Sequence, residues 1–312
     1  MSGIRAIKRR IKSAKNISQV TKALEMVSAV KMRRAQAAAL AGKPYARELR
    51  SVLSYLAGRV ESDLHPFLAV PPQISKILVV VVGPEKGLAG SLVTNLSRRV
   101  FRLKDQLDSG SVTPDGIPGS VTLSSPVTVT AVAWGRKAKD LIRKTGWPLS
   151  AYFTHKDKKP PEEMIRALSK LVMDSYLDHT ADLVLIAFPD FISTVTQKPS
   201  VVQFLPMVSA SLDNTNGSEE TSETHRLESI VSFEPSPSQV LESLLTHYQA
   251  TVLSQIIFDS TAAEHSARMV AMKNASDNAF DIIKYLTLKY NQTRQSSITN
   301  EIADIVSGSL IN

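Results

Sequence analysis

A glycine-rich turn is the part of this 312-residue chain whose composition first suggests chemistry. The segment Gly-Pro-Glu-Lys-Gly-Leu-Ala-Gly-Ser at 83–91 follows a β-branched run and precedes a predicted helix, the usual place for a phosphate-binding loop. Its glycines, however, are spaced G-x-x-x-G-x-x-G, and Lys86 is followed by Gly87 instead of Ser or Thr. Neither standard nucleotide motif is matched. The pattern therefore favours a tight turn over a nucleotide site.

No other set of residues has the spacing of a reactive centre. The chain has no cysteine, which excludes thiol nucleophiles, disulfides and zinc–thiolate sites. It also lacks a G-x-S-x-G nucleophile motif. Six histidines are scattered without the spacing of a metal site: His65, His155, His179, His225, His247 and His265. The sequence thus predicts no catalytic residue, no metal and no cofactor.

The middle of the chain predicts a Rossmann-like α/β domain over residues 75–234. The run Lys-Ile-Leu-Val-Val-Val-Val at 76–82 is typical of a strand buried on both faces of a parallel sheet. Alternating elements follow: helix 91–103, strand 127–134, helix 137–144, strand 151–154, helix 162–177, strand 182–188 and strand 229–233. Residues 108–126 and 209–229 are predicted surface insertions.

Both ends of the chain predict long helices, over residues 1–58 and 236–312. The N-terminal apolar positions follow a three-four-three spacing with one extra three-residue step, which predicts a coiled-coil seam with a stammer: Ile4, Ile7, Ile11, Ala14, Ile17, Val20, Leu24 and Val27. Residues 238–310 contain no Pro, so they fit one helix on the order of 100 Å long. We predict an antiparallel coiled coil of the two ends beside the α/β domain.

The basic residues are concentrated at the N-terminus. Residues 1–50 hold 13 Lys and Arg against 2 Glu, a net charge of +11, so the rest of the chain sums to −3 within the total of +8. Such a helix suits an acidic partner: nucleic acid, anionic lipid or an acidic protein surface. No run approaches the roughly 20 apolar residues of a membrane span, and no secretory signal is evident.

Three stretches, in the expected order, resemble one family across nearly the whole chain. They are Lys-Ala-Leu-Glu-Met-Val-Ser-Ala-Val-Lys-Met at 22–32, Lys-Gly-Leu-Ala-Gly-Ser at 86–91, and the segments 267–275 and 290–302 of the last helix. Together they resemble the gamma subunits of F-type rotary ATP synthases of the bacterial type. The C-terminal stretch, Tyr-Asn-Gln-Thr-Arg-Gln-Ser-Ser-Ile-Thr-Asn-Glu-Ile, is the most specific of them.

The resemblance implies a central rotor stalk with no catalytic site of its own. Such a subunit couples rotation of the membrane c-ring of a proton-translocating enzyme to conformational changes at the beta-subunit catalytic sites. The implied partners are three alpha and three beta subunits, the epsilon subunit and the c-ring, with one copy per complex and no nucleic acid. The implied location is peripheral, at the cytoplasmic face of the bacterial plasma membrane, with membrane contact only through the c-ring.

The resemblance also implies which residues contact the beta subunits. Arg294, Gln295 and Thr299 match positions that hydrogen-bond to a beta-subunit catch loop, which suits the donors of Arg and Gln. Lys86 and Gly87 match a turn against the beta lever loops, with Ala89 where many members have Cys. Leu24 matches a position near the same loops that is often Met, so its packing is retained.

Three alternatives stay open from the residues alone. A basic coiled coil could bind nucleic acid with strong salt dependence, although no nucleic-acid reading module accompanies the charge. An enzyme could use the Rossmann-like domain, which nucleotide binding to the isolated chain would test. The helical ends could also serve only for dimerisation or as a spacer.

Overall fold

The computed structural model describes residues 2–57, 66–69, 71–115, 120–154, 162–207 and 237–309. It confirms the predicted α/β class, with long terminal helices and a central, mostly parallel sheet. The helices are α1 (Ser2–Ala57), α2 (Leu92–Asp108), α3 (Arg136–Thr145), α4 (Glu162–Leu177) and α5 (Pro237–Ser309). The strands are β1 (Lys76–Val82), β2 (Ser111–Val112), β3 (Val121–Thr122), β4 (Thr128–Trp134), β5 (Leu149–Phe153), β6 (Leu183–Phe191) and β7 (Gln197–Leu205).

The main sheet has the strand order β5-β4-β1-β6-β7. Strands β5, β4, β1 and β6 run parallel, and β7 pairs antiparallel with β6 at one edge. Residues 77–82 of the central strand β1 are each no more than 3% exposed, which confirms the prediction of a strand buried on both faces. Strand β7 and the short β2–β3 hairpin inside the 108–126 insertion were not predicted from the sequence.

Alternating side chains of β1 enter two different cores. Ile77, Val79 and Val81 pack with α2 and α3 on one face of the sheet. Leu78, Val80 and Val82 pack on the other face with α4 and with residues 49–53 and 241–257 of the long helices. The two-residue period of a strand therefore explains how a continuous valine run serves both layers.

The described chain forms two compact units. The first contains residues 1–30 and 268–312, and the second contains residues 31–267. Within the second unit α1 continues through Pro44 as one helix. There Arg50 Nε donates to Tyr248 Oη (3.4 Å), while a Cβ on Gly42 would meet Gln255 Oε1 at 3.4 Å. Because residue numbers fall on α5 as they rise on α1, the two helices are antiparallel.

In the first unit the stammer prediction is wrong. The seam of α1 keeps an unbroken three-four spacing, with Ala14, Thr21 and Ser28 at most 9% exposed and Ser18 between them half-buried. Three of the predicted seam residues turn outward, with these exposed fractions: Ile17 53%, Val20 59% and Val27 51%. Small side chains fill the space between the helices, so the larger apolar ones lie on an adjacent face.

The facing seam of α5 has the same spacing. Met272, Ser276, Ala279 and Leu286 are at most 9% exposed. The hydroxyl oxygens of Ser18 and Ser276 lie 3.5 Å apart, which fixes the register of the pair. The predicted strand 229–233 and the 209–229 insertion lie outside the described residues.

Candidate partner-binding surfaces

The glycine turn is held in place by the carboxylate of Glu85. Its Oε2 accepts from the backbone N–H of Arg136 (3.1 Å), at the start of α3, and its Oε1 accepts from Thr154 Oγ1 (2.8 Å). A carboxylate at a helix N-terminus satisfies a free N–H and interacts favourably with the helix dipole. Glu85 thus joins the turn to α3 and to the residue that follows β5.

The same turn is tied to α5. The backbone N–H of Glu85 donates to the carboxylate of Glu264 (3.3 Å), a residue only 8% exposed. Ala89, at 2% exposure, packs with Ala263 and Ala267. A phosphate in this turn would need the backbone N–H that Glu264 already occupies and would face two carboxylates. This geometry supports the tight-turn interpretation over nucleotide binding.

The tip of the turn projects outward. Lys86, Gly87 and Leu88 are exposed, and Leu88 is 66% exposed with a φ of 63°. A leucine in the left-handed region is strained, because its Cβ crowds the following carbonyl. Such strain persists only where the surrounding contacts determine the backbone, as the bonds of Glu85 and the packing of Ala89 do here.

The three predicted C-terminal residues lie on one exposed stretch of α5. Arg294, Gln295 and Thr299 are exposed, and Thr299 Oγ1 donates to the Gln295 carbonyl oxygen (3.0 Å). In an antiparallel pair with Ser18 opposite Ser276, the start of α1 lies opposite residue 292. Along this register, these side chains lie beyond the first described residue of α1.

Leu24 lies elsewhere in the same unit. It is half-buried and lies on the face of α1 that carries the exposed Ile17, Val20 and Val27. The register places it opposite residue 270, so about 36 Å of helix separates it from Arg294. The structure does not bring Leu24 and Arg294 together. Lys86 and Gly87 belong to the second unit.

Sequence reasoning missed Glu85 and Glu264 as residues that position the turn. They are 179 positions apart, and no local motif marks their contact. It also missed the outward apolar face of α1, which it assigned to the seam. The sequence did contain a signal for this face. The small residues Ser18, Thr21 and Ser28 continue the three-four spacing of Ile4, Ile7, Ile11 and Ala14, which places the larger apolar residues outside the seam.

The basic side chains that α1 contributes to the first unit lie at the surface. The exposed ones on α1 are Arg5, Lys8, Arg9, Arg10, Lys12, Lys15 and Lys22. Lys22 makes an ion pair with Glu25 (3.0 Å). Within the described ranges, no three His, Asp or Glu side chains are grouped to hold a metal ion. None of the described helices is long and apolar enough to cross a bilayer.

Comparison with known proteins finds one family that matches nearly the whole chain. Residues 3–310 match a family model described as ATP synthase. The chain is 38% identical over 310 residues to an ATP synthase gamma chain of Dehalococcoides mccartyi, covering 99% of this chain and 98% of that one. It is 36% identical to the gamma chain of Chloroflexus aurantiacus, with the same coverage.

Solved structures give the same fold. The rotor of the Euglena gracilis mitochondrial ATP synthase has a TM-score of 0.59 at 16% identity, covering 95% of this chain and 99% of that one. The Tetrahymena thermophila central stalk has a TM-score of 0.54 at 20% identity, covering 82% and 99%. Since more than a third of its residues match those of curated relatives over nearly its whole length, this chain belongs to the ATP synthase gamma chain family.

Proposed function

We propose that this chain is the central rotor stalk of a proton-translocating F-type ATP synthase. It couples rotation of a membrane c-ring to conformational changes at catalytic sites on the beta subunits. The observation that carries the proposal is the coiled coil of the first unit. Its seam is made of small residues, and apolar and basic side chains of α1 are exposed on its outer surface. An isolated helical hairpin would bury Ile17, Val20 and Val27 in its own seam, whereas a shaft inside a protein collar presents them to its surroundings.

The chain performs no bond chemistry in this account. Its partners are three alpha and three beta subunits, the epsilon subunit and the c-ring, and one copy serves each complex. A two-helix shaft lacks threefold symmetry, so the three beta subunits contact different faces of it at any moment. Rotation then changes which beta subunit meets which face. The chain is peripheral at the cytoplasmic face of the membrane, with membrane contact only through the c-ring.

The basic surface of α1 suits this movement. Seven exposed Lys and Arg on residues 5–22 can pair with acidic loops of beta subunits. Ion pairs at solvent-exposed surfaces contribute about 0–1 kcal/mol each, so they can break and re-form at each step. Their complementarity selects the partner and the orientation more than it raises affinity.

The predicted contact residues have distinct roles. Arg294, Gln295 and Thr299 offer guanidinium, amide and hydroxyl groups to a beta catch loop from the exposed end of α5. Leu24 presents an apolar side chain to beta lever loops. Lys86 and Gly87 contact beta loops from the rigid glycine turn, where Gly87 leaves the backbone accessible.

Co-purification tests the proposal. The chain is tagged within the 209–229 segment, expressed in its native cell and isolated from membranes, and the bound proteins and ATPase activity are measured. Recovery with alpha and beta subunits in a one-to-three-to-three ratio, with ATPase activity, supports the rotor. Recovery alone or with nucleic acid contradicts it.

A further inference from the structure

The segment 40–45 of α1 is a locally weak part of a long helix. Pro44 has no N–H, so the carbonyl oxygen of Leu40 cannot accept the usual helical hydrogen bond from it. Gly42 is a poor helix former. Of the six residues in this segment only Gly42 is not exposed, so little packing supports it. The segment therefore depends on its interactions with neighbouring elements.

Gly42 faces α5 within the second unit. A Cβ at Gly42 would lie 3.4 Å from Gln255 Oε1, so the missing side chain lets the two helices approach closely. Gln255 in turn donates from Nε2 to Asp259 Oδ2 (3.1 Å), one turn further along α5. Lys43 follows Gly42 and is exposed. Its cation is thus carried on the part of α1 that lies beside Gln255 and Asp259.

Strand β6 reaches the same stretch of α5. Phe188 of β6 and Ile256 of α5 belong to one core cluster. Asp190 is the next residue on the Phe188 face of the strand, because side chains of a strand alternate between its two faces. Asp259 follows Ile256 by three residues, so it lies on the same side of the helix. Two half-buried carboxylates, one from each element, therefore meet at the edge of this core.

The carboxylate of Asp190 faces cations from two other elements. Burial raises the pKa of Asp190 above its ordinary value. The N–H of Phe191 and the cations of Lys43 and Lys198 offset only part of that rise. Lys198 is the register partner of Asp190 on β7, whereas Lys43 comes from α1.

Asp259 is subject to the same effects on α5. Burial raises the pKa of Asp259, and the hydrogen bond from Gln255 and the cation of Lys43 offset part of the rise. The negative charge of Asp190 raises it further. The two carboxylates thus repel each other across the contact between β6 and α5, and Lys43 is the cation that acts on both.

We propose that Lys43 is an electrostatic clamp, whose charge holds the 40–45 segment of α1 beside Asp190 and Asp259 at neutral pH and loses that hold in acid. Both carboxylates are half-buried, so their attraction for Lys43 is screened less than an attraction between fully exposed charges. The clamp joins α1, β6 and α5 within the second unit. It is a property of the folded chain and does not depend on the rotor function.

The contribution of Lys43 to stability should depend on pH. Near pH 7 both carboxylates are ionised, so their burial and mutual repulsion oppose folding, and Lys43 reduces this cost. As the pH falls through their raised pKa values toward about 3.9, the value in the unfolded chain, the carboxylates become neutral and the cost is relieved. A neutral carboxyl group does not attract Lys43. Its contribution is therefore present near neutral pH and lost over the same interval.

Denaturant unfolding of the purified full chain at pH 7 and pH 4 tests the clamp. Fluorescence of Trp134 and Trp147 reports on the second unit, which holds both tryptophans of the chain. Lys43→Met removes the cation and keeps an apolar side chain of similar length. Arg34→Met, which removes another exposed cation nine residues earlier on α1, is the matched control.

We expect Lys43→Met to raise the unfolding equilibrium constant about threefold at pH 7, as for an ion pair with one exposed partner. At pH 4 this difference from the natural chain should be largely lost, and Arg34→Met should have little effect at either pH. Equal constants for the two variants at pH 7 would overturn the clamp. A Lys43→Met effect of the same size at both pH values would also overturn it.

A second background identifies the partner of Lys43. In a chain that carries Asp259→Asn, Lys43→Met should have a smaller effect at pH 7 than in the natural chain, because one of its two carboxylates is already neutral. Lys43→Arg, which keeps the charge, should resemble the natural chain. Equal effects of Lys43→Met in the two backgrounds would contradict the assignment of Asp259.

Hydrogen exchange of the natural chain needs no variant. After correction for intrinsic exchange rates, the protection of the amides of residues 45–48, relative to residues 50–53 of the same helix, should fall about threefold between pH 7 and pH 4. The amides of residues 45–48 follow the weak segment, and those of residues 50–53 lie beside the buried Leu49 and Leu53. An unchanged ratio would overturn the proposal even if Lys43→Met did not fold.

Discussion

Ser18 and Ser276 face each other across the terminal coiled coil, with their hydroxyl oxygens 3.5 Å apart. A seam built on small side chains lets the two helices approach closely, so bulkier residues on the next face of α1 remain outside. Val20 is the most exposed of them, at 59%. The shaft is thus stabilised by one face and offers another to its surroundings.

Substitution on the two faces should change the free energy of unfolding by very different amounts. Ser276→Leu introduces a large side chain into the seam and should lower the free energy of unfolding by about 1–3 kcal/mol. Val20→Ser changes an exposed position and should alter it by less than about 0.5 kcal/mol. Thermal unfolding of the purified chain measures both. If Val20→Ser lowered the free energy of unfolding more than Ser276→Leu, Val20 would lie in the seam and the seam described here would be excluded.

Glu85 should stabilise the glycine turn through its carboxylate. Glu85→Ala removes the acceptor for the Arg136 N–H and the Thr154 hydroxyl, so we expect a loss of about 1 kcal/mol, as for other helix N-terminal caps. Glu48→Ala, which removes an exposed glutamate from α1, is the control. Denaturant unfolding measures the difference. Equal stabilities of the two variants would exclude the capping role.

Two glycines of the second unit should differ sharply in how far they tolerate substitution by alanine. At Gly135 the φ is +89° and an added Cβ would lie 2.2 Å from the Gly83 carbonyl oxygen, so Gly135→Ala should cost more than about 2 kcal/mol. At Gly87 an added Cβ meets nothing within 4 Å, so Gly87→Ala should change stability by less than about 0.5 kcal/mol. A stability loss at Gly87 equal to that at Gly135 would contradict this geometry. Any effect of Gly87→Ala on beta-subunit binding can then be assigned to the interface.

Asp182 should make stability depend on pH in acid. Burial alone would raise the pKa of Asp182, but hydrogen bonds from the Ser75 and Lys76 N–H groups and the Ser75 hydroxyl hold it below its ordinary value. The ionised form is therefore favoured by folding. The contribution of Asp182 to the free energy of unfolding is present above its pKa in the unfolded chain, about 3.9. It is lost as the pH falls through its lower pKa in the folded chain.

The test is Asp182→Asn, whose stability should be lower than that of the natural chain at pH 7 and should fall less steeply below about pH 4. Asp178→Asn, at an exposed aspartate four residues earlier, is the matched control. Parallel acid unfolding curves for all three proteins would rule out this role of Asp182.

Leu24 should affect coupling more than catalysis. Leu24→Lys places a cation on the apolar face of α1, near the proposed beta lever loops, so proton pumping per ATP hydrolysed should decrease while hydrolysis continues. Ala23→Lys adds the same charge to the neighbouring, exposed position. Both activities are measured in membrane vesicles. Unchanged pumping in Leu24→Lys would refute the placement of Leu24.

Most of the fold could be predicted from local patterns. The β1 run and the helix 162–177 were predicted at their observed limits, because a valine run and an uninterrupted helical segment each have one favoured structure. Strand β7 was missed, because an edge strand with Pro199 inside and mixed polar residues lacks both strand patterns. Apolar spacing also cannot distinguish residues that face a neighbouring helix from those that face a partner, which explains the error at Ile17 and Val20.

The site was less accessible to sequence reasoning. The resemblance supplied Arg294, Gln295 and Thr299 because they lie in one specific stretch of the last helix. The support of the glycine turn could not be read from the sequence, because it depends on a contact between residues 85 and 264. The β6–β7 hairpin likewise contacts α5 through Ser266 and Phe191, which no local pattern marks.

The most direct test of the rotor account is to watch this chain turn. A bead attached to a single cysteine introduced at an exposed position of the α/β domain, in complexes whose beta subunits are fixed to glass, reports its motion when ATP is added. The account predicts rotation in one direction, in steps that reflect three catalytic sites, that stops when ATP is removed. Sustained ATP hydrolysis by such complexes with a stationary bead would contradict it.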